Sequence, residues 1–165
     1  MQDKSDIIYT DRYGVAHKPE AHSRCKSRSG AFCVMVAQGL TLLQWADYAR
    51  DIAELAGGGI EQGEDPFQAA MRELSEETGI KLNLQRQNSS AIHRQIVYYY
   101  ADVDNEFWVY EQFYFLFDNL PADIIFSGQI ANAERGMMEW VPIINIPHMP
   151  IHAMHKQALQ AFGLL

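Results

Sequence analysis

The most constraining feature of the chain is a helix with both ends marked, entered from a glycine-rich segment. Asp65 is placed to cap its start. Pro66 suits the first helical position because no N–H is needed there, and Gln68 completes a capping box with Asp65. Gly79 supplies a left-handed stop. Between these signals Phe67, Ala70, Met71 and Leu74 recur at helical spacing and form one apolar stripe. One side of the helix therefore lies on a core and the other is available for chemistry. Gly57, Gly58, Gly59 and Gly63 precede it and let the backbone fold closely over that side.

The available side is acidic. At about 100° per residue, Glu73, Glu76 and Glu77 share an arc of roughly 100°, with Glu73 and Glu77 one turn, about 6 Å, apart. Three ionised carboxylates so close repel one another and weaken the helix. A solvated acidic face is the ordinary explanation of such a cluster, but the surrounding residues favour a bound dication. Arg72 can pair with Glu76 or reach back to Glu64 and fix the carboxylates. Hard oxygen ligands suit Mg²⁺, Mn²⁺ or Ca²⁺ rather than a thiol-seeking metal. Other motif readings fail. The spacing from Gly58 to Gly63 imitates a phosphate loop, but Glu64 and Asp65 stand where Lys and Ser/Thr are needed. The glycines do not fit a dinucleotide fingerprint. Asp102, Asp104 and Glu106 hint at a calcium loop, but Phe107 replaces the required glycine.

The remaining chain supplies a sheet. Ala31–Ala37 and Leu40–Trp45 read as strands joined by a tight turn at Gln38-Gly39. Ala91–Tyr100 and Phe107–Phe117 read as long strands rich in aromatic and β-branched residues, and Glu139–Pro142 as a short one. His152–Phe162 reads as a terminal helix on the surface, with Met154, Ala158, Leu159 and Phe162 turned inward. The 165 residues, 48% hydrophobic, suffice for a single domain, with residues 1–28 a polar arm or peripheral strand. Cys25 and Cys33 are expected to be free thiols. A formal charge of −8 argues against a long nucleic acid as partner. No apolar run reaches a membrane span and the start lacks a signal-peptide core, so a cytoplasmic protein with no membrane partner is expected.

The window resembles the Nudix box, G-x5-E-x7-R-E-U-x-E-E-x-G-U, where U is a bulky aliphatic residue. Gly58, Glu64, Arg72, Glu73, Leu74, Glu76, Glu77, Gly79 and Ile80 satisfy every fixed position. The resemblance implies an α/β fold, an α/β/α sandwich with a mixed sheet in which the box forms loop, helix and loop. It implies a Nudix pyrophosphohydrolase that cleaves a nucleoside diphosphate linked to another group, with Mg²⁺ or Mn²⁺ as cofactor. By the same resemblance Gly58 gives a carbonyl ligand, Glu73, Glu76 and Glu77 bind metal or activate water, and Glu64 and Arg72 support the geometry. An acid outside the box often completes such sites. Glu134 is the choice here, with Glu111 and Glu139 as rivals. The general base is Glu73, Glu77 or Glu134. Ala56 stands before the glycines where many members have proline, so loop stiffness is expected to differ.

Substrate contacts are assigned to Tyr98, Trp45 and Arg28. A Tyr at the position of Tyr98 accompanies diadenosine-polyphosphate or capped-RNA pyrophosphatases in the family. Trp45 precedes the box and offers a face for stacking on a base, and Arg28 ends a basic stretch suited to phosphate. A nucleoside triphosphate or oxidised nucleotide is the expected substrate. The alternatives are a diadenosine-polyphosphate, capped-RNA or ADP-ribose pyrophosphatase, and a nucleotide-binding module without turnover. The resemblance also makes a homodimer possible. His148, His152 and His155 are read as ordinary surface residues rather than a metal site.

Overall fold

The protein, seen here as a computed structural model, is described over residues 7–79, 83–120, 124, 130–132 and 136–165; for 130–132 only the backbone is described. Nine strands are present among these residues: β1 (Tyr9–Thr10), β2 (Ala16–His17), β3 (Cys25–Ala37), β4 (Leu40–Trp45), β5 (Ala56–Gly59), β6 (Ala91–Ala101), β7 (Glu106–Phe117), β8 (Ile130–Asn132) and β9 (Gly136–Pro142). Two helices accompany them, α1 (Pro66–Thr78) and α2 (Ala153–Ala161).

β3 organises the sheet. Over Cys25–Met35 it runs parallel to β7, which is antiparallel to β6. At Gly30–Cys33 it also pairs antiparallel with β5 on its other side. It then turns through Gln38-Gly39, both with left-handed backbone, into β4. β4 continues to β9 and β8, and β1 joins the far edge beside β6. The forked pairing of β3 opens the sheet and leaves the β5 glycines beside α1.

Alternation along β3 builds both faces. Ala31, Cys33 and Met35 join Phe115 and Phe117 of β7 in a core covered by Ala70 and Leu74 of α1. Phe32 and Val34 join Tyr114 and Leu116 in a second core covered by Ala158 and Leu159 of α2. The result is the expected mixed sheet between helices.

Two features depart from the sequence reading. The polar segment Cys25–Gly30 belongs to a central strand rather than to an arm or peripheral strand, because β7 supplies a full ladder partner regardless of its weak propensity. His152 and His155 are buried rather than on the surface. His155 Nδ1 lies 3.1 Å from the Tyr114 hydroxyl, and His152 caps α2 by accepting from the Met154 N–H. Cys25 is exposed and Cys33 buried, both free thiols. No described helix is long and apolar enough to cross a membrane.

Candidate active site

α1 carries the acidic face to the glycine strand. Its start is fixed as the sequence predicts: Asp65 accepts from the Phe67 N–H, and the Gln68 side chain accepts from the Asp65 N–H. Arg86 adds an ion pair to Asp65, which holds that carboxyl below its usual range. Gly79 ends α1 with φ 69° and donates its N–H to the Ser75 carbonyl.

Glu73 and Glu77 are 5% and 2% exposed. Both lie against β5. The Glu77 carboxylate accepts from the Gly57 N–H at 2.9 Å and from the Gln44 amide at 3.3 Å. Glu73 lies so close to Gly58 that a Cβ there would sit 2.5 Å from its carboxyl carbon. Only glycine at this position leaves the Glu73 carboxylate where it stands. The side chain of Glu76 is 46% exposed, on the outer side of the same turn.

Arg72 ties helix and loop together. It donates to both oxygens of Glu64 at 3.0 Å, to Glu73 at 2.8 Å and to the Gly59 carbonyl at 2.9 Å, with Glu76 at 3.4 Å. The hydrogen bonds from Arg72 hold the Glu64 carboxyl below its usual range, and Glu64 in turn pushes the guanidinium pKa up. Both reaches expected of Arg72, to Glu64 and to Glu76, are made at once.

The donor set suits a hard divalent cation: carboxylates and backbone carbonyls, with no thiolate, in a place where only glycine leaves room. Among the described residues no three His, Cys, Asp or Glu side chains already converge on one point. Glu76 points to solvent beside Arg72, and the oxygens of Glu77 are engaged by the β5 backbone and Gln44. Glu134 and Ile80 lie outside the described residues. Glu111 stands on the opposite face of β7 from Trp108 and Tyr110 and pairs with Arg94. Glu139 is half-buried across from Leu43.

A cavity of about 310 Å³ opens beside Gly57 and Gly58. Arg28 reaches it with its guanidinium 4.3 Å from the Trp108 ring, which also lines the space. Tyr98 does not line it: the sheet alternation points Tyr99 inward, while Tyr98 packs edge-on against Tyr9 on the other face. Trp45 packs against the core under α2. Sequence reasoning missed Glu54 in this wall, and it did not assign Arg12, Tyr48, Tyr99 or His152 to the cavity, although Tyr48 and Tyr99 stood among the aromatics offered for stacking. A lone acid in the apolar run Ile52–Ala56 was a readable sign that Glu54 is buried for a purpose. Arg12 gave none, because its partner Asp102 is 90 residues away. A larger cavity, about 520 Å³, lies away from α1, between His17–Arg24 and the loop after β6.

The NUDIX domain model matches residues 26–162, and the chain belongs to that family. No curated protein matches it at the sequence level. Solved structures share its fold. A MutT NUDIX hydrolase from Burkholderia pseudomallei is 23% identical, with 81% of this chain and 96% of that one covered at a TM-score of 0.56. An Ap4A hydrolase from C. elegans is 20% identical, covering 83% and 94% at 0.54. The NUDIX domain of Shewanella oneidensis NrtR, complexed with ADP ribose, is 18% identical, covering 87% and 90% at 0.55. At these identities the likeness is one of fold.

Proposed function

We propose that the chain is a Mg²⁺- or Mn²⁺-dependent pyrophosphohydrolase acting on a nucleoside diphosphate linked to another group, a nucleoside triphosphate or oxidised nucleotide in the first instance. The observation that carries this is the burial of Glu73 and Glu77 directly against Gly57 and Gly58, glycines that also line a cavity rich in aromatic rings. An acidic face serving only solubility would stand in water.

The Gly58 carbonyl, Glu73, Glu76 and Glu77 would hold the cation, with Glu134 as the proposed further ligand. A bound dication supplies charge neutralisation for a diphosphate and lowers the pKa of water. The chain's own residues do the rest. Arg72 and Glu64 fix the loop over α1 and orient Glu73. A carboxylate of Glu73 or Glu77 takes the proton from the attacking water. Arg28 stands at the cavity lip, where it would meet phosphate oxygens, and Trp108 and Tyr99 line the space that a base would enter.

The test is a panel of diphosphate-linked nucleotides with Mg²⁺ or Mn²⁺, both products being identified. Glu76→Gln and Glu77→Gln should each lower kcat by roughly 10²-fold or more, as expected when a group acting at the reacting centre is lost, with an unchanged circular dichroism spectrum. Near-normal turnover in both variants refutes the assignment. The likeness to the NrtR domain keeps a second reading in view, a module that holds a nucleotide without cleaving it. Saturable binding with no product from any panel member would establish that reading instead.

A further inference from the structure

The cavity beside β5 contains two buried charges that hydrolysis itself does not use. Glu54 is 7% exposed and sits on a segment whose backbone is locked to Gln44 by two hydrogen bonds. Among the described residues its carboxylate is hydrogen-bonded only by the Tyr48 hydroxyl, at 3.4 Å from each oxygen, too far for a strong bond, and the Arg12 charge acts on it from beyond ion-pair distance. Arg12, 4% exposed, comes from the turn after β1, outside the span matched by the family model. Its Nε and Nη2 both donate to Asp102 Oδ1, at 2.9 and 2.7 Å. Five N–H groups project from a guanidinium, so this pair fixes Arg12 and leaves donors over. Both residues line the same cavity, yet among the described residues no ion pair joins them.

An acceptor and a donor thus line one cavity, which Tyr99 and Trp108 also line with rings packed on each other at 5.6 Å between centroids. We propose that Glu54 and Arg12 read the edge of a nucleobase that presents a ring N–H beside a carbonyl, with Glu54 accepting from the N–H and Arg12 donating to the carbonyl oxygen. The proposal rests on the reading of the chain as a nucleotide hydrolase and names the substrate class of that site.

Hypoxanthine, guanine and uracil carry this edge. Adenine and cytosine carry a ring-nitrogen lone pair and an amino group in the same places. An ionised carboxylate only accepts, so it meets the adenine nitrogen with two lone pairs facing, while Arg12 meets the amino group with two donors facing. Once a bound base displaces water from these two buried groups, neither mismatch is relieved by solvent. Guanine adds its 2-amino group as a second donor to the same carboxylate. Burial pushes the Glu54 carboxyl up while Arg12 opposes the shift, so the comparison is run at pH 8, on the side that favours the carboxylate.

The experiment is calorimetric titration of the full chain at pH 8 in EDTA with inosine monophosphate and adenosine monophosphate, which differ only at this edge. Inosine monophosphate should bind at least about tenfold more tightly, and guanosine monophosphate more tightly again. In Glu54→Gln the amide both donates and accepts, so the ratio should fall to within about threefold, with thermal unfolding checked alongside. Equal or tighter binding of adenosine monophosphate, no binding of either at millimolar concentration, or an unchanged ratio in a folded Glu54→Gln protein overturns the proposal. Should that variant fail to fold, the wild-type ratio decides alone. Glu76-dependent cleavage of all bases alike would sink the base reading and leave the hydrolase standing. Inosine preference without any turnover would do the reverse.

Discussion

Arg72 shows how a helix can keep three glutamates on one turn and a half without unwinding. Its guanidinium satisfies Glu64, Glu73 and the Gly59 carbonyl together. A lysine keeps the charge but not the planar fork, so Arg72→Lys should leave the loop loosely held and lower turnover more than it lowers the melting temperature. Gly57 and Gly58 make a sharper pair. A Cβ at Gly57 would lie 2.3 Å from the Ala31 carbonyl oxygen, which is backbone of a central strand and does not yield. The atoms nearest to a Cβ at Gly58 are those of the Glu73 carboxylate, the end of a side chain that can move aside. Gly57→Ala should therefore cost about 1–3 kcal/mol in urea unfolding, the usual range for forced overpacking. Gly58→Ala should unfold near the wild-type midpoint while losing activity, because Glu73 is displaced. Equal stability loss in both would contradict the contacts. The box residues were legible in the sequence because their spacing within one helix and its loop is local. Tyr99 was not, because counting along the chain cannot tell which of three successive tyrosines the sheet turns inward.

Among the elements, α1 was the most legible, since caps and stops are written in neighbouring residues. Asp65 acts three times: it accepts from the Phe67 N–H, completes the box with Gln68 and binds Arg86. Asp65→Ala should cost about 1 kcal/mol, mostly as a lost cap, because the exposed ion pair adds little. Because α1 presents the acidic face, the same variant should also weaken metal uptake measured by calorimetry. β3 was half legible. Its apolar part reads as strand from residue types, whereas Cys25–Gly30 becomes strand through a parallel partner more than eighty residues later in the chain. β1 and β2 follow the same logic at the edge of the sheet. There the His17–Asp11 contact and the stacking of His17 on Tyr100, rather than local propensity, fix two residues in each strand.

At the scale of the molecule, the sheet buries two histidines between its α2-facing side and α2. His155 is fully enclosed, edge-on to Phe32 and next to the Tyr114 hydroxyl, and burial holds its pKa well below the ordinary value. His152 lies beside it and near Arg12, and burial with that positive charge lowers it to about 3. In the unfolded chain both would titrate near the ordinary value of 6.5. Below that pH the unfolded state takes up protons that the folded state refuses, so stability falls with falling pH. Each histidine contributes up to about 1.4 kcal/mol per pH unit. Carboxylates with ordinary values near 4 add little change between pH 7 and pH 5, and Glu54, pushed up by burial, works in the opposite direction. Urea midpoints measured across that interval should therefore drop as pH falls, and the slope should be shallower in His155→Gln, which carries no titrating ring. A slope unchanged by that substitution would mean that His155 titrates alike in the folded and the unfolded chain, and so is open to water in the fold. The pH response is also tied to the site. His152 lines the cavity that holds Glu54 and Arg12, so protonating it would place a third charge against the base edge and couple acid unfolding to loss of nucleotide.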